Sequence, residues 1–148
     1  HGEMLGNHGL WGKHNCAYEE VWKIPLFVCY PEKDMGREDA RLVNSTDILP
    51  TCLKAAGIRI PECDGKALND SEWDRKYTFA EGEGYIAVTD GQYKYVHVQK
   101  GGEQGRELLD LKADPDEYRN LVGKTEYQEK LAELRNQIIE HIMPSVLA

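Results

Sequence analysis

Residues 85–98 read YIAVTDGQYKYVHV, and this stretch predicts a β-hairpin. Two runs of β-branched and aromatic residues flank an Asp-Gly pair, which suits the positive φ angles of a tight hairpin turn. Further strand candidates lie on either side, at residues 77–80 and 107–111. Because an isolated hairpin is only marginally stable in water, these runs together predict a small antiparallel sheet of about four strands.

One amphipathic helix follows the predicted sheet, over residues 125–142. Its apolar side chains recur at helical spacing and predict a buried stripe. The stripe consists of Tyr127, Leu131, Leu134, Ile138 and Ile142. Thr125 is followed three residues later by Gln128, a spacing that fits a capping box at the start of the helix. The second half of the chain therefore predicts an α+β unit in which a long helix packs on the sheet.

The first half of the chain has less regular patterning. Residues 18–22 predict a short helix, and the apolar run at residues 24–30 is typical of a strand buried inside a parallel sheet. A second helix is predicted to start at a Ser45 or Thr46 cap and to end before Gly57. Because the chain offers no obvious parallel partner for residues 24–30, we expect this run to self-associate or to be covered by the N-terminal loop.

The bulk composition argues against several classes of function. The chain has 148 residues and a net charge of -8, and its Lys and Arg are scattered, so nucleic acid is not an expected partner. No apolar run approaches the ~20 residues of a membrane helix, so a membrane is not expected either. Of the four cysteines, Cys29 and Cys52 lie in apolar segments and are interpreted as buried. We favour free thiols over any of the disulfide pairings that four cysteines allow.

Residues 1–14 read HGEMLGNHGLWGKH and form a polar, glycine-rich segment. The imidazoles of His1, His8 and His14 can ligate a metal or bind an anion, and the Lys13 ammonium can neutralise a sulfate or phosphate group. The glycines would let the backbone approach a ligand closely. An ordinary solvated loop explains the same composition, and an α-amine together with the His1 ring offers a copper chelate as a further alternative.

Matches to one enzyme family follow each other along the chain. The N-terminal segment, with the Tyr-Glu and Ile-Pro-Leu runs after it, resembles type I sulfatases of the alkaline phosphatase superfamily. The matching positions there are His1-Gly2-Glu3, Gly6-x-His8-Gly9-x-Trp11-x-Lys13, Tyr18-Glu19 and Ile24-Pro25-Leu26. Later matches lie at residues 45–51, 56–58, 64–65, 90–95, 107–111, 114–117 and 120–121. Their order and spacing over nearly the whole chain make the resemblance specific.

The resemblance implies a fold and its division into domains. The chain would be the C-terminal part of an alkaline-phosphatase-like α/β sulfatase. Residues 1–68 would form the end of the catalytic α/β domain, with an active-site loop, a buried strand and a helix. Residues 69–148 would form a small C-terminal subdomain of antiparallel sheet and helix.

The resemblance also assigns roles to the N-terminal residues. His1 would be a ligand of the active-site divalent cation, which is calcium in most of the family. Lys13 would contact the sulfate group of the substrate and stabilise the charge on its oxygens. His8 and His14 are further candidates for substrate contact, with a structural hydrogen bond as the alternative for each.

The family's nucleophile is a formylglycine formed within a Cys/Ser-x-Pro-x-Arg motif. The resemblance places it, with the remaining metal-binding carboxylates, upstream of residue 1. The nearest match in the chain, Cys29-x-Pro31-x-Lys33, has Lys in place of Arg. It also follows the Lys13 segment, whereas the family's motif precedes it, so we interpret it as the end of a strand.

The predicted function is that of the C-terminal part of a sulfuric ester hydrolase. The parent would act on a sulfated small molecule or carbohydrate, and its missing N-terminal part would be the partner of this chain. Alone, the chain would be inactive. A phosphonate or phosphodiester hydrolase of the same superfamily is one alternative, and a non-catalytic binding module with the same fold is another.

Overall fold

The residues that the computed structural model describes are 1–30, 36, 38–100 and 103–147. They form two compact units. The first joins His1–Pro25 to Phe79–Ala148, and the second is Leu26–Thr78. The boundary predicted between residues 68 and 69 concerns the domains of a larger enzyme and stays a prediction. No helix among the described residues is long and apolar enough to cross a bilayer.

A four-stranded sheet is present, as the sequence predicts. Its strands are β1 (Thr78–Gly82), β2 (Tyr85–Thr89), β3 (Tyr93–Lys100) and β4 (Glu103–Asp110), and they lie side by side in chain order. The antiparallel register of β2 and β3 pairs Thr89 with Lys94, which confirms the Asp-Gly hairpin. β4 begins at Glu103, earlier than predicted, because it pairs with β3 along its full length. The Gly-Gly pair at residues 101–102, between these two strands in the sequence, lies outside the described residues.

The helices are α1 (Glu19–Trp22), α2 (Ile48–Ala55) and α3 (Gln128–Leu147), and each corresponds to a predicted helix. A 3-10 turn, Thr125–Tyr127, precedes α3. The capping box predicted at Thr125 is wrong, because the Gln128 amide instead donates to the carbonyl oxygens of Val122 (2.9 Å) and Lys124 (3.0 Å).

Both faces of the sheet in the first unit are covered. The face that carries Tyr93 and Tyr95 packs against α3. Of the predicted stripe, Leu131, Leu134 and Ile138 are buried, whereas Tyr127 is only half-buried and Ile142 is exposed. The opposite face packs against the residues that follow the N-terminal segment, up to α1. Its core is made of Ala17, Ala87 and Val96, with Trp22, Tyr85 and Val98 packed against it. The sequence predicted only the helix-covered face, although Val96 and Val98 alternate with the tyrosines and indicate a second apolar face.

The buried strand predicted at residues 24–30 is wrong. These residues form no regular element, and the Phe27 side chain is 92% exposed. A strand inside a parallel sheet needs a hydrogen-bonded neighbour on each side, and the described part of the chain supplies none. Self-association through this run stays a prediction. Of the near match to the nucleophile motif, Pro31 and Lys33 lie outside the described residues.

In the second unit, the start of the predicted helix is displaced by one residue. Asn44, rather than Ser45 or Thr46, caps the 3-10 turn Ser45–Asp47 that leads into α2, and it forms a capping box with Asp47. In this box the Asp47 carboxylate accepts Asn44 N–H at 2.7 Å, and it also accepts Lys66 N–H at 2.8 Å. Gly57 follows the helix with φ +67°, as predicted for a residue after its end.

The thiols in this structure are free. Cys29, Cys52 and Cys63 are exposed, and Cys16 is half-buried. The burial predicted for Cys29 and Cys52 is therefore wrong. The error at Cys29 follows from the missing strand, and Cys52 lies on an exposed face of α2 even though its neighbours Pro50 and Thr51 are buried.

Candidate functional site

The N-terminal segment is a closed loop, held together by its own backbone. Met4 is buried in its centre, and Met4 N–H donates to the Gly12 carbonyl at 2.9 Å. Gly6 N–H donates to the Leu10 carbonyl at 2.8 Å, and Gly6 has φ +97°, which a residue with a side chain rarely adopts. The loop thus has a defined conformation although it contains no regular strand.

Gly2 is required for a reason other than the predicted approach of a ligand. A Cβ atom at this position would collide with the carbonyl oxygen of Glu20 in α1. The glycine therefore allows the start of the loop to pack directly on the backbone of α1.

His8 lies inside an aromatic stack. Its ring packs on Tyr18 at a centroid distance of 3.9 Å and on Tyr118 at 4.5 Å. The Tyr118 hydroxyl donates to Asn7 Oδ1 at 2.6 Å, and His8 Nε2 is buried without a hydrogen-bond partner in the described part of the molecule. Packing explains the position of His8, and its substrate contact stays a prediction.

The other residues predicted for the site are accessible. His1, Lys13 and His14 are exposed, and no hydrogen bond or ion pair of their side chains occurs among the described residues. The Lys13 ammonium is therefore available to an anion. The predicted roles of Lys13, His1 and His14 are not decided by these positions and stay predictions.

A divalent cation at His1 would need further donor groups close to it. Within the described ranges, no group of three or more His, Cys, Asp or Glu side chains is arranged to hold a metal ion. Hard cations such as Ca²⁺ need six or more ligands, mostly oxygen atoms. The described residues therefore do not form a calcium site by themselves.

A buried ion cluster lies directly beneath the segment that follows Lys13. The Lys94 ammonium is completely buried and donates to the Ala17 carbonyl at 2.6 Å and to Glu19 Oε1 at 3.0 Å. It forms an ion pair with Glu117 Oε1 at 2.5 Å. Its nitrogen also lies 4.9 Å from the centre of the Trp22 ring.

Glu117 joins this cluster to the start of α1. Its Oε2 accepts the Glu19 N–H at 2.6 Å, so a carboxylate occupies the N-terminal end of this short helix. Glu117 lies in the turn after β4 with φ +57°, and its side chain is completely buried. Burial raises the pKa of Glu117 above its ordinary value, and the neighbouring Lys94 ammonium opposes that shift.

Two further contacts hold the same segment against the sheet. The Asn15 side chain accepts the Glu83 N–H at 3.1 Å and donates to the Glu83 carbonyl. The Tyr85 hydroxyl donates to the Cys16 carbonyl at 3.1 Å. We call these contacts, with those of Lys94 and Glu117 described above, the sheet clamp. It holds residues 15–19 through four successive parts of the sheet: the β1–β2 turn, β2, β3 and the turn after β4.

Sequence reasoning missed the sheet clamp. The motifs that contain Lys94 and Glu117 were matched to the family, but nothing indicated that the two side chains meet. The sequence of β3 does contain a pattern that indicates an ion pair, because Lys94 lies on the same face as Val96 and Val98. A lysine on an apolar face of a central strand predicts a buried carboxylate partner, because an unpaired buried charge is strongly unfavourable.

A small cleft opens beside the sheet clamp. It has a volume of about 190 Å³ and is lined by Cys16, Tyr18, Tyr85 and Glu107, among others. Burial raises the pKa of Tyr18 to about 12, with the nearby carboxylate of Glu107 acting in the same direction. Burial also raises the pKa of Glu107. The cleft carries the carboxylates of Glu83 and Glu107 and no Lys or Arg side chain, so it is not suited to bind an anion.

Comparisons with known proteins agree with this architecture. The family described as N-sulphoglucosamine sulphohydrolase, C-terminal, matches residues 6–143. An arylsulfatase of Clostridium perfringens is 30% identical over 157 residues, covering 96% of this chain and 32% of that protein. A Delta 4,5-hexuronate-2-O-sulfatase of Bacteroides thetaiotaomicron is 31% identical over 164 residues, covering 98% of this chain and 34% of that protein. The chain thus spans about a third of the length of these curated relatives.

A solved structure shows the same fold. The structure of a 2-O GAG sulfatase superimposes with a TM-score of 0.75 at 27% sequence identity, covering 98% of this chain and 35% of that one. The predicted resemblance to type I sulfatases is confirmed. The chain belongs to the N-sulphoglucosamine sulphohydrolase C-terminal family, and its four-stranded sheet with a long helix is the C-terminal part of an alkaline-phosphatase-like sulfatase fold.

Proposed function

We propose that this chain is the C-terminal part of an enzyme that hydrolyses sulfate esters of carbohydrates. The observation that carries the proposal is the family match over residues 6–143, which includes the loop that presents Lys13. The names of the relatives support the reaction, and the hexuronate named for one of them supports a sulfated sugar as the substrate class.

Lys13 is the residue of this chain proposed to act on the substrate. Cleavage of a sulfate ester increases negative charge on the departing oxygen, and the sulfate oxygens are already anionic. An ammonium held beside them stabilises the transition state electrostatically. Lys13 suits this role because its side chain is exposed, while Gly12 before it and Asn15 after it are held by hydrogen bonds.

The remaining catalytic groups are proposed to come from the rest of the enzyme. These are the formylglycine nucleophile and most of the ligands of a divalent cation, proposed to be Ca²⁺. When bound, such a cation neutralises charge on the sulfate group. His1 is proposed as one donor to it, since it is exposed and its imidazole forms no hydrogen bond or ion pair among the described residues.

Replacing Lys13 tests the proposal. In the complete enzyme, Lys13→Ala should lower kcat for a 2-O-sulfated uronate disaccharide by about 10²–10³-fold, the usual effect of removing one group that stabilises transition-state charge. Lys112→Ala, at an exposed lysine in the turn after β4, is the matched control and should leave kcat unchanged. Released sulfate is measured by ion chromatography.

Three outcomes would contradict the proposal. One is equal activity of Lys13→Ala and Lys112→Ala. Another is turnover of phosphonate or phosphodiester substrates in preference to every sulfate ester, which would favour the alternative hydrolase. The third is turnover of p-nitrophenyl sulfate by this chain alone, since the proposed nucleophile lies elsewhere.

A further inference from the structure

The ammonium of Lys13 can act on a sulfate group only if the loop holds its backbone in one place. A displacement of about 1 Å at a catalytic group can cost about 10²-fold in rate. A lysine side chain has several rotatable bonds, so the part of its position that a fold can fix is the backbone. Upstream of Lys13, the Met4–Gly12 hydrogen bond provides that constraint.

Downstream of Lys13, the constraint comes from the sheet clamp. Asn15, only two residues away, is bound to the β1–β2 turn through its side chain. The Cys16 carbonyl is held by the Tyr85 hydroxyl of β2, and the Cys16 thiol lies 3.7 Å from the Lys13 carbonyl. The Asn15 and Tyr85 contacts join the loop to the sheet and its first turn, whereas a loop with only internal hydrogen bonds could move as a body.

We propose that Asn15 and Tyr85 are positioning residues for Lys13. They contact neither the proposed substrate nor the reacting atoms, and they act by fixing the backbone that carries the ammonium. A role of the small C-terminal sheet in the reaction is then to support this loop. The inference rests on the proposed function, because the anion held by Lys13 is taken to be the sulfate group of the substrate.

The test is a double-mutant cycle in the complete enzyme. Tyr85→Phe removes one hydroxyl and keeps the ring in the core, so the protein should fold with an unchanged melting temperature to within a few degrees. We expect kcat to fall between about 10- and 100-fold with little change in KM. In the Lys13→Ala background, Tyr85→Phe should have almost no further effect, because the group that it positions is gone. Tyr127→Phe, at the turn before α3, is the matched control.

A second measurement does not depend on activity. In the complete enzyme, Tyr85→Phe and Asn15→Ala should each speed hydrogen exchange at the Met4 and Gly6 amides, which close the loop, while α3 amides stay protected. Unchanged exchange at those amides overturns the proposal. So does an active enzyme in which the effects of Tyr85→Phe and Lys13→Ala multiply independently. An enzyme that is inactive on all sulfate esters overturns the proposed function instead. In that case, the hydrogen-exchange measurement alone tests whether Asn15 and Tyr85 fix the backbone of the loop.

Discussion

Lys94→Met should lower the free energy of unfolding by about 3–5 kcal/mol, the cost expected when one partner of a buried ion pair is removed. The side chains of Lys94 and Glu117 are both inaccessible to solvent, so the variant leaves a carboxylate buried without its counter-charge. The Ala17 carbonyl also loses its hydrogen-bond donor. Urea denaturation followed by circular dichroism at pH 7 measures the loss.

The pH dependence of this variant identifies the cause. Without Lys94, the pKa of the buried Glu117 carboxyl should rise further, because the ammonium that opposed the shift is absent. A raised pKa means that the folded protein takes up a proton more readily than the unfolded chain. The loss in the free energy of unfolding that Lys94→Met causes should therefore become smaller as the pH falls from 7 towards the ordinary pKa of a Glu residue.

Two further variants make the prediction specific. Adding Glu117→Gln to Lys94→Met removes the unpaired charge and should recover part of the lost stability. Lys112→Met replaces an exposed lysine and should change the free energy of unfolding by less than about 0.5 kcal/mol. If Lys94→Met were as stable as Lys112→Met, the ion cluster would not stabilise this unit.

Asp47→Asn should have an effect of similar size in the second unit, about 3–5 kcal/mol. Asp47 is completely buried and receives two short hydrogen bonds from the Arg75 guanidinium, at 2.5 and 2.6 Å. Its backbone carbonyl also accepts the Thr51 hydroxyl at 2.6 Å, and Thr51 in turn accepts Leu68 N–H at 2.9 Å. A neutral amide at position 47 has one acceptor oxygen and no negative charge, so it cannot replace both hydrogen bonds to the Arg75 guanidinium. We therefore expect the start of α2 to become less stable.

The sign of the pH effect at Asp47 follows from its pKa. Burial alone would raise the pKa of this carboxyl, but the hydrogen bonds from Arg75 and from two backbone amides lower it below its ordinary value. The stabilisation is thus fully present above the unfolded-state pKa of about 3.9 and is lost as the pH falls through the lower folded-state value. Asp47→Asn should show no such acid-induced loss from this position.

Amide hydrogen exchange of residues 44–55 measures this effect within the second unit. We expect faster exchange there in Asp47→Asn at pH 7. Asp64→Asn, at an exposed aspartate of the same unit with no partner among the described residues, should behave like the wild type. Equal protection in Asp47→Asn and Asp64→Asn would show that the Asp47–Arg75 pair does not organise the unit.

The elements that the sequence predicted correctly are those with strong local patterns. Helix α3 has an apolar stripe at regular spacing, and the β2–β3 hairpin has alternating strands around a turn that only a few residue pairs favour. Such patterns depend on neighbours a few residues apart. They therefore predict a helix or a hairpin independently of how the rest of the chain packs.

The errors arose where long-range packing decides the structure. The apolar run at residues 24–30 has the composition of a strand, but no described strand pairs with it. The sheet clamp joins residues such as Lys94 and Glu117, whose contact no local period reveals. Within the candidate site, Lys13 and His1 are predicted from a family resemblance and stay predictions, whereas the side chains that hold their loop became visible only in three dimensions.

The most direct measurement is a crystal structure of the complete enzyme with a sulfated disaccharide bound. We expect Lys13 Nζ to lie within hydrogen-bond distance of a sulfate oxygen, about 2.7–3.2 Å, and His1 to face the bound cation. Residues 15–19 should keep the contacts of the sheet clamp. A sulfate group bound away from Lys13, with its ammonium in solvent, would contradict the role proposed for this chain.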